Sequence, residues 1–188
     1  HDRFYRTLYE SLLDARLITS SKQSLYLNLL FRSLKADVNQ KRITAFVKRI
    51  TQVLTLHQPS FVCGAFFLLK ELETTFPGLS GLIDQAEEHE ADEETFHDVV
   101  EVDTAAANHL PRVNGPSQAA KGVVYDGRKR DPEHSHAEYS CLWELLPFLA
   151  HYHPSVAVSA DHLLRHAKLP GKPDLDLHTL IHFLDRFV

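Results

Sequence analysis

The chain has 188 residues, a formal net charge of −5 and 44% hydrophobic residues. This length allows one full hydrophobic core or a stack of helical pairs, so we predict a single domain. A membrane protein is excluded because the sequence has no run of about 18 or more apolar residues. The first residues show helical periodicity and lack the features of a signal peptide. Because the chain has no initiator Met and ends without a polar tail, we interpret it as a piece of a longer protein.

The charge is distributed unevenly along the chain. Residues 1–80 contain 11 basic residues (Lys and Arg) and 6 acidic residues (Asp and Glu). Residues 81–120 contain 1 basic and 10 acidic residues, and residues 121–188 contain 8 basic and 9 acidic residues. We interpret residues 84–120 as an acidic, mostly disordered insertion, since they are rich in acids and small residues. An acidic contact with another protein is the alternative. The predicted divisions are helical hairpins over 1–83, the insertion, and a strap with further helices of the same domain over 121–188.

Apolar residues at helical spacing predict two helical hairpins before the insertion. The predicted helices cover residues 3–17, begin again near Leu25, and cover 39–57 and 59–76. Pro59 suits the first turn of the fourth helix, which is apolar nearly all round and is expected to be central and buried. Two successive hairpins of comparable length favour an all-α fold stacked as an armadillo- or HEAT-like repeat, although no residue-level repeat is visible.

After the insertion, the sequence predicts a charged strap followed by helices. The strap, residues 125–140, contains a turn at Asp126-Gly127, a cationic block and a stop at Asp131-Pro132. The predicted helices cover 140–151, with a kink at Pro147, then 155–167, and continue from Leu177. The predicted core residues are Trp143, Leu142, Leu145, Phe66 and Leu69.

Several sequence features that would indicate chemistry are incomplete. The thirteen histidines include two pairs with i,i+4 spacing, His162 with His166 and His178 with His182. Neither pair has the Glu of an HExxH zinc motif, so we predict no metal site. Gly115 to Gly122 lacks the second Gly and the Ser or Thr of a phosphate loop, and no nucleophile is paired with a base. We therefore predict no cofactor and no enzyme activity.

The two cysteines, Cys63 and Cys141, lie far apart among apolar neighbours. We predict buried free thiols in a reducing compartment, and a disulfide is the alternative.

The cationic clusters are better candidates for function. Seven cations form two groups, Lys41, Arg42, Lys48 and Arg49 on the third helix and Arg128, Lys129 and Arg130 in the strap. The seven-residue spacing of the first group places it along one side of that helix, as a basic ridge. Both groups would contact an RNA backbone, where each neutralised phosphate releases counterions. No aromatic residues interleave these charges, so contacts to phosphate or RNA shape are expected rather than base stacking. A solvated helix face explains the pattern equally well.

Four blocks of sequence, residues 12–37, 42–78, 123–164 and 177–188, occur in an order that resembles the CCAAT-binding-factor family of nucleolar complex proteins. Within that family the chain is most similar to the member that assembles the large ribosomal subunit. The family's Arg-Lys-Arg-Asp-Pro block matches Arg128 to Pro132, and its Leu-Trp-Glu-Leu block matches Leu142 to Leu145. The acidic insertion has no matching motif.

The resemblance implies an α-helical-repeat scaffold in the nucleolus, without catalytic activity or cofactor. It implies binding to pre-ribosomal RNA and early large-subunit assembly factors, as a heterodimer with a second nucleolar-complex protein. Two other classes remain open. The family's name suggests a DNA-binding transcription regulator, but the sequence lacks zinc-finger spacing and a basic region followed by heptads. A solenoid that recognises only protein, like a transport receptor, is the third class.

Overall fold

The computed structural model describes residues 2–85 and 124–185, without the side chains of Leu180 and Phe183. The α-helices are α1 (Asp2–Ser11), α2 (Gln23–Lys35), α3 (Gln40–Val53), α4 (Pro59–Thr75), α5 (Gly81–Asp84), α6 (Pro154–Leu164) and α7 (Leu180–Leu184). Short 3₁₀ helices cover Ala15–Leu17, Leu54–Leu56, Pro77–Ser80, Pro132–His134, Ala137–Tyr139 and Trp143–Ala150. Every regular element among the described residues is helical, which confirms the all-α prediction for that part of the chain.

Local sequence signals explain where the central helices begin. The Asn39 side chain accepts a hydrogen bond from the backbone N–H of Arg42 and caps α3, as short polar side chains do at helix starts. Pro59 occupies the first turn of α4, where its missing N–H costs nothing. The first predicted helix is shorter than expected, because the chain leaves α1 at Ser11 and forms a separate 3₁₀ turn capped by Asp14.

Helices α1 and α2 form the predicted antiparallel pair. The Tyr5 hydroxyl donates to the carbonyl of Ser33 at 2.9 Å, and the hydroxyls of Ser11 and Tyr26 lie 2.7 Å apart. Residues early in α1 therefore meet residues late in α2. The most extensive contacts between two α-helices, however, join α2 to α4 and α4 to α6. At the α2–α4 crossing a Cβ on Gly64 would lie 2.6 Å from Leu27 Cδ1, so the Leu27 side chain would have to shift to admit a larger residue there.

A single hydrophobic cluster joins residues on both sides of the acidic segment. It includes Tyr9 and Phe46, whose rings meet edge-on at 5.0 Å, and Phe66 and Phe148, which meet edge-on at 5.3 Å. The α4 helix is buried along most of its length, as predicted, but α3 is buried as well on nearly every side. Among the described residues no helix is both long and apolar enough to cross a bilayer.

The predicted α-helix around Trp143 is a 3₁₀ helix in the structure. It covers Trp143–Ala150 and contains Pro147. Proline has no backbone N–H and its ring clashes with the carbonyl four residues earlier, so an α-helix is disfavoured there. The flanking bonds run from Leu145 N–H to Leu142 O and from His151 N–H to Phe148 O, each over three residues. The change of helix type matters because it alters which side chains share a face.

The predicted insertion, residues 84–120, lies outside the described residues except for Asp84, which is the last residue of α5, and Gln85, which follows it. Two contacts fix the position of the chain where this segment begins. The carbonyl of Leu82 accepts a 2.7 Å hydrogen bond from the N–H of Leu142. The Asp84 carboxylate lies 3.0 Å from Nε2 of His166, whose Nδ1 contacts Glu73. The α4 helix, α5 and the end of α6 therefore meet at this histidine.

Stability at this junction should depend on pH. Hydrogen bonds to Asp84 and Glu73 raise the pKa of His166 above its ordinary value. A raised pKa in the folded state gives stability that is fully present below about pH 6.5 and is lost as the pH rises through the raised pKa. Asparagine tolerates the left-handed backbone of this residue, which has φ 54°. We expect the unfolding free-energy difference between wild type and His166→Asn to be larger at about pH 6 than at about pH 9, as measured by urea denaturation. An equal difference at both values would contradict the ionic role.

Candidate nucleic-acid interface

The strap lies across α3 and α1 with its backbone fixed by hydrogen bonds. The N–H of Asp126 donates to the carbonyl of Ser135 at 2.8 Å, which closes a loop that contains the cationic block. At the tip of this loop, the N–H of Arg128 donates to the Asp126 carboxylate at 2.9 Å and that of Lys129 to the Asp126 carbonyl at 3.2 Å. The Asp131 carboxylate then caps the Pro132–His134 turn. Arg128, Lys129 and Arg130 are therefore carried by a backbone whose conformation is fixed by hydrogen bonds.

Arg49 of α3 binds the backbone of this loop through hydrogen bonds. Its Nη2 donates to the carbonyls of Gly127 at 2.6 Å and Lys129 at 3.1 Å, and its Nη1 donates to the carbonyl of Tyr9 at 3.4 Å. The guanidinium carbon lies 3.3 Å from the centre of the Tyr9 ring. Only 3% of the residue is exposed. The planar donor fork of arginine suits this role, because it serves several acceptors while it stacks on an aromatic ring.

Lys48 of α3 forms a buried ion pair with Glu144. Its Nζ lies 2.7 and 2.9 Å from the two Glu144 carboxylate oxygens and donates to the carbonyl of Cys141 at 2.6 Å. The rings of Tyr125 and Trp143 each lie with their centres 5.6 Å from this ammonium. Lys48 is 1% exposed and Glu144 is 6% exposed. The pair joins α3 to the 3₁₀ helix that follows the strap.

The prediction that Lys41, Arg42, Lys48 and Arg49 form a solvent-facing basic ridge is wrong for three of the four. Arg42 is buried, with Nε 2.7 Å from an oxygen of Asp37 and Nη1 3.0 Å from an oxygen of Asp2. Lys48 is buried against Glu144 of the 3₁₀ helix after the strap, and Arg49 is buried under the strap itself. Only the Lys41 side chain is exposed, and its ammonium lies 3.0 Å from Glu138 of the strap, a contact that raises the Lys41 pKa. Periodicity predicted one polar face correctly, but α1, the strap and the 3₁₀ helix after the strap cover most of that face.

The strap cations behave differently from those on α3. Arg128, Lys129 and Arg130 are all exposed. The Arg130 side chain forms an ion pair with Glu10 of α1 at 2.6 Å, and Arg6 of the same helix lies 2.5 Å from Asp131. The candidate phosphate contacts therefore reduce to Arg128 to Arg130 and Lys41, whose side chains are exposed.

Four of the five predicted core residues are buried, and one is not. Leu142, Leu145, Phe66 and Leu69 lie in the hydrophobic cluster. Trp143 is 56% exposed, so its assignment to the core is wrong. The expectation assumed an α-helix, in which residues 142, 145, 146 and 149 share a face with it. In the 3₁₀ helix the buried row is Leu142, Leu145 and Phe148, and Trp143 lies on a neighbouring row that is exposed.

Sequence reasoning missed Glu144, the acid on which the site depends. It is the only Asp, Glu, Lys or Arg between Cys141 and Ala160. An isolated charge in an apolar run favours a buried partner, because an unpaired buried carboxylate is costly. That signal predicts a buried cation elsewhere in the chain, although it does not identify Lys48.

The histidine pairs do not converge on one point. His162 Nδ1 lies 2.9 Å from the carbonyl of Lys168, whereas His166 contacts Glu73 and Asp84. The ring of His178 lies edge-on to that of His153, with centres 6.1 Å apart. Within residues 2–85 and 124–185 no group of three or more His, Cys, Asp or Glu is arranged to hold a metal ion.

The two cysteines are free thiols, and the prediction that both are buried is confirmed for Cys63 but is wrong for Cys141. Cys63 is buried, Cys141 is half-buried, and neither forms a disulfide. Burial raises the pKa of the Cys63 thiol to about 12, so this residue stays protonated and unreactive at neutral pH.

Comparison with known proteins agrees with the resemblance in the sequence blocks. Residues 1–160 match the model of the CBF/Mak21 family. The whole chain is 57% identical to part of "Ribosome biogenesis protein NOC1" of Chaetomium thermophilum and 36% identical to part of "CCAAT/enhancer-binding protein zeta" of Homo sapiens. It is 29% identical, over 99% of its length, to "Nucleolar complex protein 1" of Drosophila melanogaster.

The chain spans only a part of each relative, namely 18%, 21% and 20% of their respective lengths. The family match nevertheless extends from the first helix through most of α6, and so includes α3, the strap and the Lys48–Glu144 pair. The chain belongs to the CBF/Mak21 family.

Proposed function

We propose that this chain is part of a non-enzymatic ribosome biogenesis factor that acts in the nucleolus. It binds pre-ribosomal RNA of early large-subunit precursors, together with early assembly factors and a second nucleolar-complex protein as its heterodimer partner. The names of the relatives support the assembly role and the nucleolar location. The helices serve as a scaffold of the armadillo or HEAT type, an arrangement favoured by the antiparallel α1–α2 pair and by the packing of α4 between α2 and α6.

One observation carries the RNA part of this proposal. Arg128, Lys129 and Arg130 are exposed at the tip of a loop whose backbone is held by Arg49. A fixed backbone lowers the entropic cost when the cations bind phosphate. Since phosphate contacts carry no sequence information, the loop would bind RNA without sequence preference.

A DNA-binding transcription regulator is disfavoured by the position of the most basic helix. A recognition helix must present its side chains to a groove, but α3 is buried on nearly every side and covered by the strap. A scaffold that recognises only protein would lack the RNA affinity expected here, so the following experiment separates it from the proposal.

We expect the triple variant Arg128→Gln, Lys129→Gln, Arg130→Gln to bind unrelated structured RNAs more weakly and to similar extents. The slope of log affinity against log salt should flatten by roughly one unit for each phosphate that the variant no longer neutralises. Folding should survive, because exposed charges contribute little to stability. Affinity is measured by fluorescence anisotropy at several salt concentrations.

The matched control replaces Lys22, Arg32 and Lys35, three exposed cations in and beside α2, by Gln. It removes the same charge from a different surface, so it reports the general electrostatic effect alone. If the strap variant binds RNA as tightly as wild type at every salt concentration, or no more weakly than the control, the strap is not an RNA contact.

A further inference from the structure

The 3₁₀ helix after the strap exposes a continuous row of large apolar side chains. In a 3₁₀ helix residues three apart are eclipsed, so Trp143, Leu146 and Leu149 form one line, which we call the apolar row. Their exposed fractions are 56%, 55% and 43%. Tyr152, immediately after this helix, is 60% exposed. Single exposed apolar residues are common on protein surfaces, but an aligned group marks an interaction site.

The stretch of chain that forms this surface contributes no exposed fixed charge to it. Between Cys141 and Ala160 the only Asp, Glu, Lys or Arg is Glu144, which points inward to Lys48. Burial lowers the pKa of His151 and His153, so both rings are neutral at neutral pH. Depletion of charged residues with enrichment of Trp and Tyr is the composition of the centre of a protein–protein interface.

The helix that carries the apolar row is packed against the hydrophobic core. The neighbouring row of the same helix, with Leu145 and Phe148, lies in the core, and Phe148 packs edge-on against Phe66. The ion pair of Glu144 with Lys48 ties the first turn to α3. A partner that binds here would therefore lose little conformational entropy in ordering this side of the contact.

We propose that the apolar row, with Tyr152, is the surface on which the second nucleolar-complex protein docks, through an uncharged apolar helix face of that partner. Charge decides between the possible occupants. RNA needs cations for its phosphates, and these are concentrated in the strap at 128–130 but absent from 141–160. A partner helix with apolar residues at positions i, i+3 or i+4 and i+7 matches a neutral apolar row. The inference rests on the heterodimer in the proposed function and assigns RNA and protein to separate surfaces.

The test uses the full-length protein and the same organism's other nucleolar-complex proteins, purified one at a time. We expect the double variant Leu146→Ser, Leu149→Ser to bind the partner at least about tenfold more weakly than wild type, since central apolar contacts dominate interface energy. RNA affinity should be unchanged. The strap variant should show the reverse, weaker RNA binding with unchanged partner binding. The matched control is Leu25→Ser, Leu29→Ser, which removes two exposed leucines from α2 and should leave both affinities unchanged.

Radical footprinting provides a second measurement that needs no variant. Oxidation of Trp143 and Tyr152, measured by peptide mass spectrometry, should fall when the partner binds. If wild type binds a partner and the double variant binds equally well, or if footprinting shows no protection, the inference is overturned while the heterodimer stands. If wild type binds none of these proteins, the heterodimer and the inference both fail. The inference is also overturned if Trp143 is already protected in the full-length protein alone, or if the variant abolishes self-association instead.

Discussion

Replacing Glu144 by Ala should lower the free energy of unfolding of the chain by about 3–5 kcal/mol. Glu144 and Lys48 are almost fully buried and lie 2.7 Å apart. The substitution takes the carboxylate away from a desolvated ammonium, and an uncharged acceptor such as the Cys141 carbonyl compensates only in part. The cost of removing one charge of a buried pair exceeds the net strength of the pair itself. Urea denaturation followed by circular dichroism measures the change.

Two further variants distinguish this cause from general damage. The double variant Lys48→Met, Glu144→Leu removes both charges and should restore most of the stability, because apolar replacement of a buried pair is often neutral. Asp161→Ala breaks an ion pair with Arg165 in which the Arg165 side chain is 74% exposed and the Asp161 side chain 41% exposed. This substitution should lower the free energy of unfolding by no more than about 1 kcal/mol. A Glu144→Ala variant as stable as the Asp161→Ala variant would show that the pair is not a structural requirement.

The positions of the helices were predictable because their signals are local. Asn39 caps α3, Pro59 begins α4 and Pro154 begins α6, and each acts on residues within one turn. The spacing of apolar residues along α3 also predicts that Phe46 and Ile50 face inward, and both are buried. These features need no knowledge of distant segments.

The environment of the α3 cations could not be predicted in the same way. The partners of Arg49 in the strap lie 78 and 80 residues away along the chain, and Glu144 lies 96 residues from Lys48. Periodicity separates an apolar face from a polar one, but it does not say whether solvent or another segment covers the polar face. The isolated charge of Glu144 was the only local sign of a buried pair.

The prediction that Trp143 is buried was wrong for a different reason. The residues that follow it are apolar at almost every position, so both an α-helix and a 3₁₀ helix bury some of them. The choice between the two helix types rotates Trp143 from the core to the surface. Pro147 predicts a disturbed helix, but its position in the sequence does not distinguish a kink from a change to three residues per turn.

Arg49 should determine both stability and the order of the strap. Arg49→Ala is expected to cost about 3–5 kcal/mol, because it removes hydrogen bonds from a charged donor to the carbonyls of Gly127 and Lys129, and the stacking on Tyr9. Arg49→Lys should restore only part of this, since an ammonium cannot serve the same acceptors and stack on the ring together. Urea denaturation measures the stability.

Hydrogen exchange then tests whether the effect is local to the strap. In Arg49→Ala the amides of Asp126 and Lys129, which donate within the loop, should exchange much faster, while the amides of α4 should follow only the global change in stability. The control Arg130→Ala breaks an exposed pair with Glu10 and should change stability by no more than about 1 kcal/mol. If the loop amides of Arg49→Ala exchange only as fast as global unfolding requires, Arg49 stabilises the core but does not position the strap. The exposed cations at 128–130 would then owe their placement to the Asp126–Ser135 bond and the ion pairs with α1.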